Sequence, residues 1–367
     1  MKFIIDRAAL VKPLQMINGV VERRQTMPIL GNVLMSVEND QLSLTTTDLE
    51  VQMKTQTIVR ESENGSISLP ARKFLDICRA LPEDAEIHLK VNGEKASLRS
   101  GKSRFMLTTL AAADFPAIET DREAVSFEIP QNILKRAIER VHFAMAQQDV
   151  RYYLNGMMME LSTDTLRLVA TDGHRLAMCE TPNISNNIKE NQQIIIPRKG
   201  ILELVRLLTE ENSIAHISLG NNFVQLTTDQ INFVSKLIDG RFPDYQNVVP
   251  VNCDKIVTCH REHLKQTLNR VSILSNEKYR GVRLEFSSGL LHIFAHNPEQ
   301  EEAEEEIPIN YDGNPLEIGF NVSYLMDALG ACQSDEVQLL LSDANSCCLL
   351  NGVGDTQCKY VVMPMRL

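Results

Sequence analysis

An α+β fold of three similar domains, each with two helices and antiparallel sheets, is predicted by three observations on this 367-residue chain. A hairpin pattern recurs at constant spacing. Two amphipathic helical patterns accompany each copy. The period far exceeds the roughly 20–50 residues of a solenoid repeat, so each copy must bury a core of its own.

The hairpins come first. Residues 31–48 read GNVLMSVENDQLSLTTTD, residues 156–172 GMMMELSTDTLRLVATD, and residues 281–297 GVRLEFSSGLLHIFAHN. Each opens on Gly, alternates apolar and polar residues, turns on polar residues, alternates again and closes on Asp or Asn. Period two on both sides of a turn specifies paired strands. Gly31, Gly156 and Gly281 stand 125 residues apart at each step.

A first helix begins near Asp6, Pro130 and His260, with Leu10, Leu134 and Leu264 in the same place. A second follows each hairpin: SLPARKFLDICRAL at 68–81, IIPRKGILELVRLL at 195–208 and IGFNVSYLMDALG at 318–330. A strand near Phe105, Phe233 and Tyr360 closes each copy. Polar stretches place the boundaries near 122 and 252, giving domains 1–122, 123–252 and 253–367. The apolar stripes assign Ile133, Leu134, Ala137, Ile138 and Val141 to one core. Phe74, Leu75, Ile77, Cys78 and Leu81 belong to another, and Ile201, Leu202, Leu204, Val205 and Leu208 to a third.

Apolar residues are 43% and charged residues 23% of the chain, which excludes wholesale disorder. The eight cysteines form no Cys-x-x-Cys pair, so reduced thiols are expected rather than a disulfide framework. MKFIIDRAAL is too short an apolar run for a signal peptide, and no stretch nears the roughly 18 apolar residues of a membrane span. A cytoplasmic protein is expected.

Lys and Arg number 37 against 48 Asp and Glu, a net charge of −11 that on average repels phosphate. The distribution matters more than the average. Basic residues recur opposite the apolar stripes: Arg72, Lys73 and Arg79; Lys135, Arg136 and Arg140; Arg198, Lys199 and Arg206. Lys12, Lys265 and Arg270 extend the theme, whereas residues 321–330 carry no cation. One such face is an ordinary solvated surface. Its recurrence on equivalent helices favours an anion-facing side that needs no base readers. Acid gathers in NPEQEEAEEE, at Glu299, Glu301, Glu302, Glu304, Glu305 and Glu306, and base at Lys95, Arg99, Lys102 and Arg104. A chain with one basic and one acidic end suits head-to-tail self-association, closing into a ring where the rotation allows.

Catalytic readings are weaker. Thr171-Asp172-Gly173-His174-Arg175 brings together an acid, a base and a cation, and a nucleic-acid-modifying hydrolase using Asp172 and His174 is the alternative function. Thr47-Asp48 holds the equivalent place without a His, which favours an Asp that caps its own turn. Cys259, His260, His263, His292 and His296 lack zinc-finger spacing and read as unrelated side chains. GxxxxGK[ST] is absent.

Several stretches are specific: PILGN at 28–32, PARKF at 70–74, QDVRYYLNGM at 148–157, ATDGHRLA at 170–177, DGRFPDY at 239–245, SNEKYRGVRL at 275–284, NPEQEEAEE at 297–305 and VVMPMRL at 361–367. Through them the chain resembles, over its whole length, the bacterial DNA polymerase III β-subunit family, the β sliding clamps. The resemblance implies the DNA clamp fold: a head-to-tail dimeric ring of six domains around duplex DNA, helices lining the hole and sheets outside. It implies a processivity subunit without catalysis, cofactor or metal, cytoplasmic and nucleoid-associated. The implied partners are double-stranded and primer–template DNA without sequence preference, the polymerase catalytic subunit, an ATP-driven clamp loader, and other replication and repair proteins. The proteins bind through short peptides combining Gln with Leu and Phe.

By the same resemblance, Arg24, Arg72, Gln148, Tyr152 and Tyr153 contact DNA. Arg198, Lys199 and Arg206 join them from the repeated basic faces. Asn247 and Val251 depart from the family, standing where basic residues are common. The resemblance also implies a partner-peptide cleft of Leu154, Thr171, Gly173, His174, Arg175, Leu176, Pro243 and Val248, with Cys347 beneath. The C-terminal residues Val361, Met363, Pro364, Met365, Arg366 and Leu367 complete it. At the dimer interface, Phe105 and Leu107 pack on Ile273 and Leu274, while Lys73, Lys95, Lys102 and Arg104 face Glu299, Glu301, Glu302 and Glu305.

Overall fold

The computed structural model describes residues 1–21, 27–118, 125–182, 191–209 and 211–366. Arg24, Leu367 and the boundary at 122 lie outside the described residues.

Each repeat starts as a strand running directly into a helix. In copy one, β1 (Lys2–Asp6) leads into α1 (Arg7–Ile17), followed by β2 (Asn32–Glu38), β3 (Gln41–Thr47), β4 (Val51–Ile58), β5 (Arg60–Glu63) and β6 (Gly65–Pro70). Then come α2 (Ala71–Ala80), β7 (Glu86–Asn92), β8 (Lys95–Ser100), β9 (Ser103–Thr108) and β10 (Leu110–Ala111). Copy two comprises β11 (Val125–Pro130), α3 (Gln131–Glu139), β12 (Gly156–Leu161), β13 (Thr165–Thr171) and β14 (Arg175–Pro182). It continues with β15 (Gln192–Pro197), α4 (Arg198–Leu207), β16 (Ile214–Leu219), β17 (Phe223–Thr227) and β18 (Asn232–Lys236). Copy three comprises β19 (Lys255–His260), α5 (Arg261–Val271), β20 (Gly281–Ser287), β21 (Leu290–His296) and β22 (Glu302–Pro308). It ends with β23 (Leu316–Asn321), α6 (Val322–Ala331), β24 (Glu336–Leu341), β25 (Cys348–Gly352) and β26 (Cys358–Val362). All three hairpins (β2–β3, β12–β13 and β20–β21) are present and antiparallel.

By its contacts the chain forms two compact units, residues Met1–Asn132 with Leu202–Leu237, and Ile133–Ile201 with Ile238–Leu367. The first holds a five-stranded sheet, β5-β1-β7-β8-β9, and a nine-stranded one, β10-β6-β2-β3-β4-β18-β17-β16-β11. The second holds an eight-stranded sheet, β15-β12-β13-β14-β26-β25-β24-β19, and a four-stranded one, β22-β21-β20-β23. Strands of adjacent repeats thus share a ladder: β4 of copy one pairs with β18, and β14 of copy two pairs with β26. Sharing consumes edges that would otherwise expose unpaired N–H and C=O groups.

In the first unit α1 packs on α2 and buries Leu10, Leu14 and Ile17 with Phe74, Leu75 and Cys78. In the second, α5 packs on α6 through Leu264, Leu268 and Val271 against Val322, Leu325 and Leu329. Burying such side chains contributes about 1.5–3 kcal/mol each. Four residues assigned to the stripes fall short: Ile133 and Leu202 are exposed, and Ile77 and Val205 are half-buried. Each sits roughly a quarter turn from the centre of its stripe, where a helix surface meets water. The expectation of wholly reduced thiols is also corrected. Cys179 on β14 stands opposite Cys358 on β26, and the structure joins them as a disulfide. No helix among the described residues is long and apolar enough to cross a membrane.

Candidate functional site

The second unit carries an apolar cleft of about 150 Å3 where β14 meets β26. Leu154, Leu176, Tyr245 and Val361, all buried, form its floor, and Thr171, Gly173, His174, Pro243, Val248 and Met363 its rim. Half-buried Cys347 packs against the cluster beneath. The cleft exists because β14 pairs in register with the last strand, Leu176 against Val361, and Met363 donates its N–H to the His174 carbonyl at 2.9 Å.

The loop entering β14 is held by one carboxylate. Asp172 Oδ1 accepts the N–H groups of His174 at 2.9 Å and Arg175 at 3.0 Å. Asp48 Oδ1 does the same in copy one, accepting from Glu50 at 2.9 Å and Val51 at 2.7 Å. The repeat therefore preserves a turn-forming Asp, as its recurrence without His predicted. Gly173 adopts φ +88°, and a Cβ there would stand 3.0 Å from the Arg151 guanidinium. The positive φ favours glycine, and a Cβ would also make the Arg151 guanidinium shift.

Arg175 does not present a polar edge to the cleft. Its guanidinium bonds Asp172 Oδ2 at 3.1 Å and the Phe143 carbonyl at 2.8 Å, pairs with Asp327, and lies 4.6 Å over the Tyr324 ring. Only its stem remains to line the wall. His174 is exposed, with its ring stacked on Tyr324. Three lining residues were missed by sequence reasoning: Arg151, Tyr153 and Tyr245. Tyr153, expected at DNA, packs on the cleft cluster, while Tyr152 beside it is 58% exposed. Arg151 forks onto Asp149 at 2.9–3.0 Å, and its hydrogen bonds hold that carboxyl at about 2.

Behind the floor, Tyr245 donates to Glu160 at 2.9 Å and accepts from Arg167 at 3.0 Å. Arg167 also reaches Glu160 at 2.8 Å and Glu180 at 2.5 Å. A half-buried polar network satisfied in this way helps to fix the position of the buried Tyr245 ring. The tail then turns aside. Met365 donates to the Gly319 carbonyl at 2.8 Å, and Met365 and Arg366 line a separate depression with Tyr279, Arg283 and Phe294. Those two residues are corrected out of the cleft, because β23 offers an open edge that captures the backbone. Half-buried Pro364 is the step between the two hollows, and is not among the residues lining either.

The basic helix positions divide. Lys73 is exposed, but Arg72 is tucked in, donating to the Val21 carbonyl at 2.6 Å. Half-buried Arg198 donates to the Met145 carbonyl at 3.3 Å, and Lys199 is likewise half-buried. Arg206 pairs with Glu203 and donates to the Gln15 and Met16 carbonyls. Gln148 is exposed at φ +58°.

At the proposed interface, β9 is an edge strand in its sheet and so is β22. On and beside β9, Lys95, Lys102 and Arg104 are exposed, Phe105 is half-buried and Leu107 buried. Near β22, Ile273 is 74% exposed, Leu274 half-buried, and Glu299, Glu301 and Glu302 exposed. Half-buried Glu305 pairs with Arg270 of its own chain.

Repeated helix-and-sheet copies, open edges at β9 and β22 and a preformed apolar cleft are the features of a binding scaffold. The comparisons agree. Family models of the DNA polymerase III β subunit match its N-terminal domain at residues 1–119, its central domain at 128–244 and its C-terminal domain at 246–366. The β sliding clamps of Pseudomonas putida and Escherichia coli K12 are 53% and 48% identical, each covering all of both chains. The crystal structure of the DNA polymerase III subunit beta from Pseudomonas aeruginosa superposes with a TM-score of 0.97 at 53% identity over the full length of both. A second structure from that organism, bound to griselimycin, gives 0.96 at 53% identity over the full length of both. The chain belongs to the DNA polymerase III β-subunit family. It is a DNA sliding clamp, a processivity factor rather than a catalyst, and its partners are DNA and polymerase.

Proposed function

We propose that the chain works as a closed dimer whose three repeats, 1–122, 123–252 and 253–367, place six similar domains around duplex DNA. It tethers the polymerase catalytic subunit through the cleft at Leu176 and Val361. The cleft carries this reading. It is apolar, preformed and walled by fixed backbone, so a short extended peptide with Leu and Phe anchors and a Gln fits it. Clamp loader and repair enzymes compete for the same two clefts per ring, and tethering raises the effective concentration of each at the primer end.

The dimer closes by joining the open edge at β9 of one chain to that at β22 of the other. Phe105 and Leu107 then meet Ile273 and Leu274, and the exposed cations meet Glu299, Glu301 and Glu302. The ion pairs select orientation more than they add affinity. Gln148 and Tyr152, both exposed, are the groups best placed for weak contact with the duplex, whereas Arg72 and Arg206 support their own fold. Such a protein works in the cytoplasm at the nucleoid.

Deleting Met363–Leu367 tests the cleft. The truncated protein is expected to lose polymerase stimulation and loader interaction while remaining dimeric. Processive synthesis at ordinary protein concentrations by the truncated dimer would place the partner site elsewhere.

A further inference from the structure

We propose that Cys179 and Cys358 form a reversible thiol–disulfide modification site that joins copy two to copy three by a covalent bond. Three observations carry it. The two residues are directly opposed in the β14–β26 ladder with Cα atoms 4.2 Å apart, the close spacing at which facing side chains touch. They come from different repeats, 179 residues apart in the chain, so no local turn explains their meeting. Arg140 Nη1 stands 3.4 Å from Cys358 Sγ, with Asp355 3.7 Å from the same guanidinium.

What distinguishes this site from the other buried cysteines is a second sulfur facing the first across the ladder; an arginine charge alone does not, since one also acts on Cys78 and on Cys332. Burial pushes the Cys78, Cys259 and Cys332 thiols up to about 12, which leaves them protonated and inert. Cys358 has a guanidinium against its sulfur, a donor placed to stabilise the charge that develops as the thiol reacts. Cys179 and Cys358 are only 2% and 1% exposed, so peroxide and a small dithiol alike reach them through local opening of the β14–β26 ladder.

The chemistry balances with peroxide as oxidant. The Cys358 thiolate attacks one peroxide oxygen, the O–O bond breaks, and hydroxide leaves, giving a sulfenic acid. The Cys179 sulfur attacks the sulfenic sulfur, the S–O bond breaks, and the thiol proton departs with that oxygen as water. Two electrons pass from the two thiols to peroxide. A dithiol reductant reverses the result by exchange. In a reducing compartment such a bond is transient, which reconciles it with a chain otherwise made of free thiols.

The test is alkylation in denaturant, after each treatment of the folded protein, followed by mass spectrometry of the full-length chain. After reduction all eight cysteines take label. After peroxide on the native protein, six are expected to do so, with Cys179 and Cys358 missing. A dithiol under native conditions restores both. Arg140→Gln slows the loss about tenfold. Oxidation raises the thermal midpoint by about 5 °C, and neither Cys358→Ser nor Cys179→Ala shows that rise. Loss of label at other cysteines, no loss, an unchanged rate in Arg140→Gln, or a bond that resists dithiol until the protein unfolds would each overturn the proposal.

Discussion

Leu176 on β14 and Val361 on β26 stand directly opposite each other, and both side chains are buried in the floor of one cleft. One residue belongs to the second repeat and the other to the third. The cleft is therefore a product of the ladder between repeats, and neither repeat could build it alone.

Truncating that floor should weaken peptide capture before it weakens assembly. Leu176→Ala removes a buried anchor at a cost of about 2–5 kcal/mol of stability. Titration with a Gln–Leu–Phe peptide should show at least tenfold weaker binding, and sedimentation should still show the dimer. Unchanged peptide affinity would remove Leu176 from the site.

Asp172→Ala tests whether the TDGHR segment is a turn or a reaction centre. Two backbone N–H groups and the Arg175 side chain lose their acceptor. A loss of about 1–3 kcal/mol is expected, with a smaller loss of peptide affinity. Asp48→Ala should destabilise the first unit similarly, since its turn is built the same way. A stability loss confined to Asp172 would contradict the repeated-turn account.

The network behind Tyr245 gives a pH dependence. Burial pushes the Glu160 carboxyl up, but hydrogen bonds from Gln193, Tyr245 and Arg167, with the Arg167 charge, hold it below the ordinary carboxylate value. A depressed carboxyl contributes stability that is complete above its unfolded value, about 4.3, and is lost as pH falls through the folded value. Urea midpoints should therefore fall more steeply below about pH 5 in the native protein than in Glu160→Gln. Parallel profiles would show that Glu160 contributes nothing.

The interface prediction rests on apolar contact. Ile273→Ala with Leu274→Ala should give monomers at micromolar concentration by sedimentation, while 0.5 M salt on the native protein leaves most of the dimer intact, as expected for about 0–1 kcal/mol per exposed ion pair. A dimer that persists in the double variant would contradict the assignment.

The legible part of this fold was what period and pattern encode. The hairpins from Gly31, Gly156 and Gly281 and the helices after Asp6, Pro130 and His260 are where the alternation and the stripes put them. Pairing between repeats left no such trace, because nothing in β4 or β14 names β18 or β26 as its neighbour. The Cys179–Cys358 meeting follows from that unseen pairing, whereas the Tyr245 wall and the diversion of Met365 come from contacts inside copies two and three that leave no periodic trace either. The arginines misled for another reason. A guanidinium on a helix looks free until a carbonyl such as that of Val21, or a carboxylate such as Glu203, is found beside it.

That correction bears on DNA binding. Arg206 already faces Glu203, so Arg206→Gln should change the slope of log affinity against log salt by well under the roughly 0.9 of a free cation. Lys12→Gln, which removes an exposed charge from α1, should change it more. Equal slopes in the two variants would mean that the internal pair opens on DNA.

Retention on linear against nicked circular DNA tests encirclement most directly. Rings loaded on a nicked circle should stay through gel filtration at 0.3 M salt and be released once the circle is cut, because a topological link needs no tight contact and ends when an end appears. Equal retention on circular DNA and on linear DNA with open ends would show ordinary surface binding and contradict the ring.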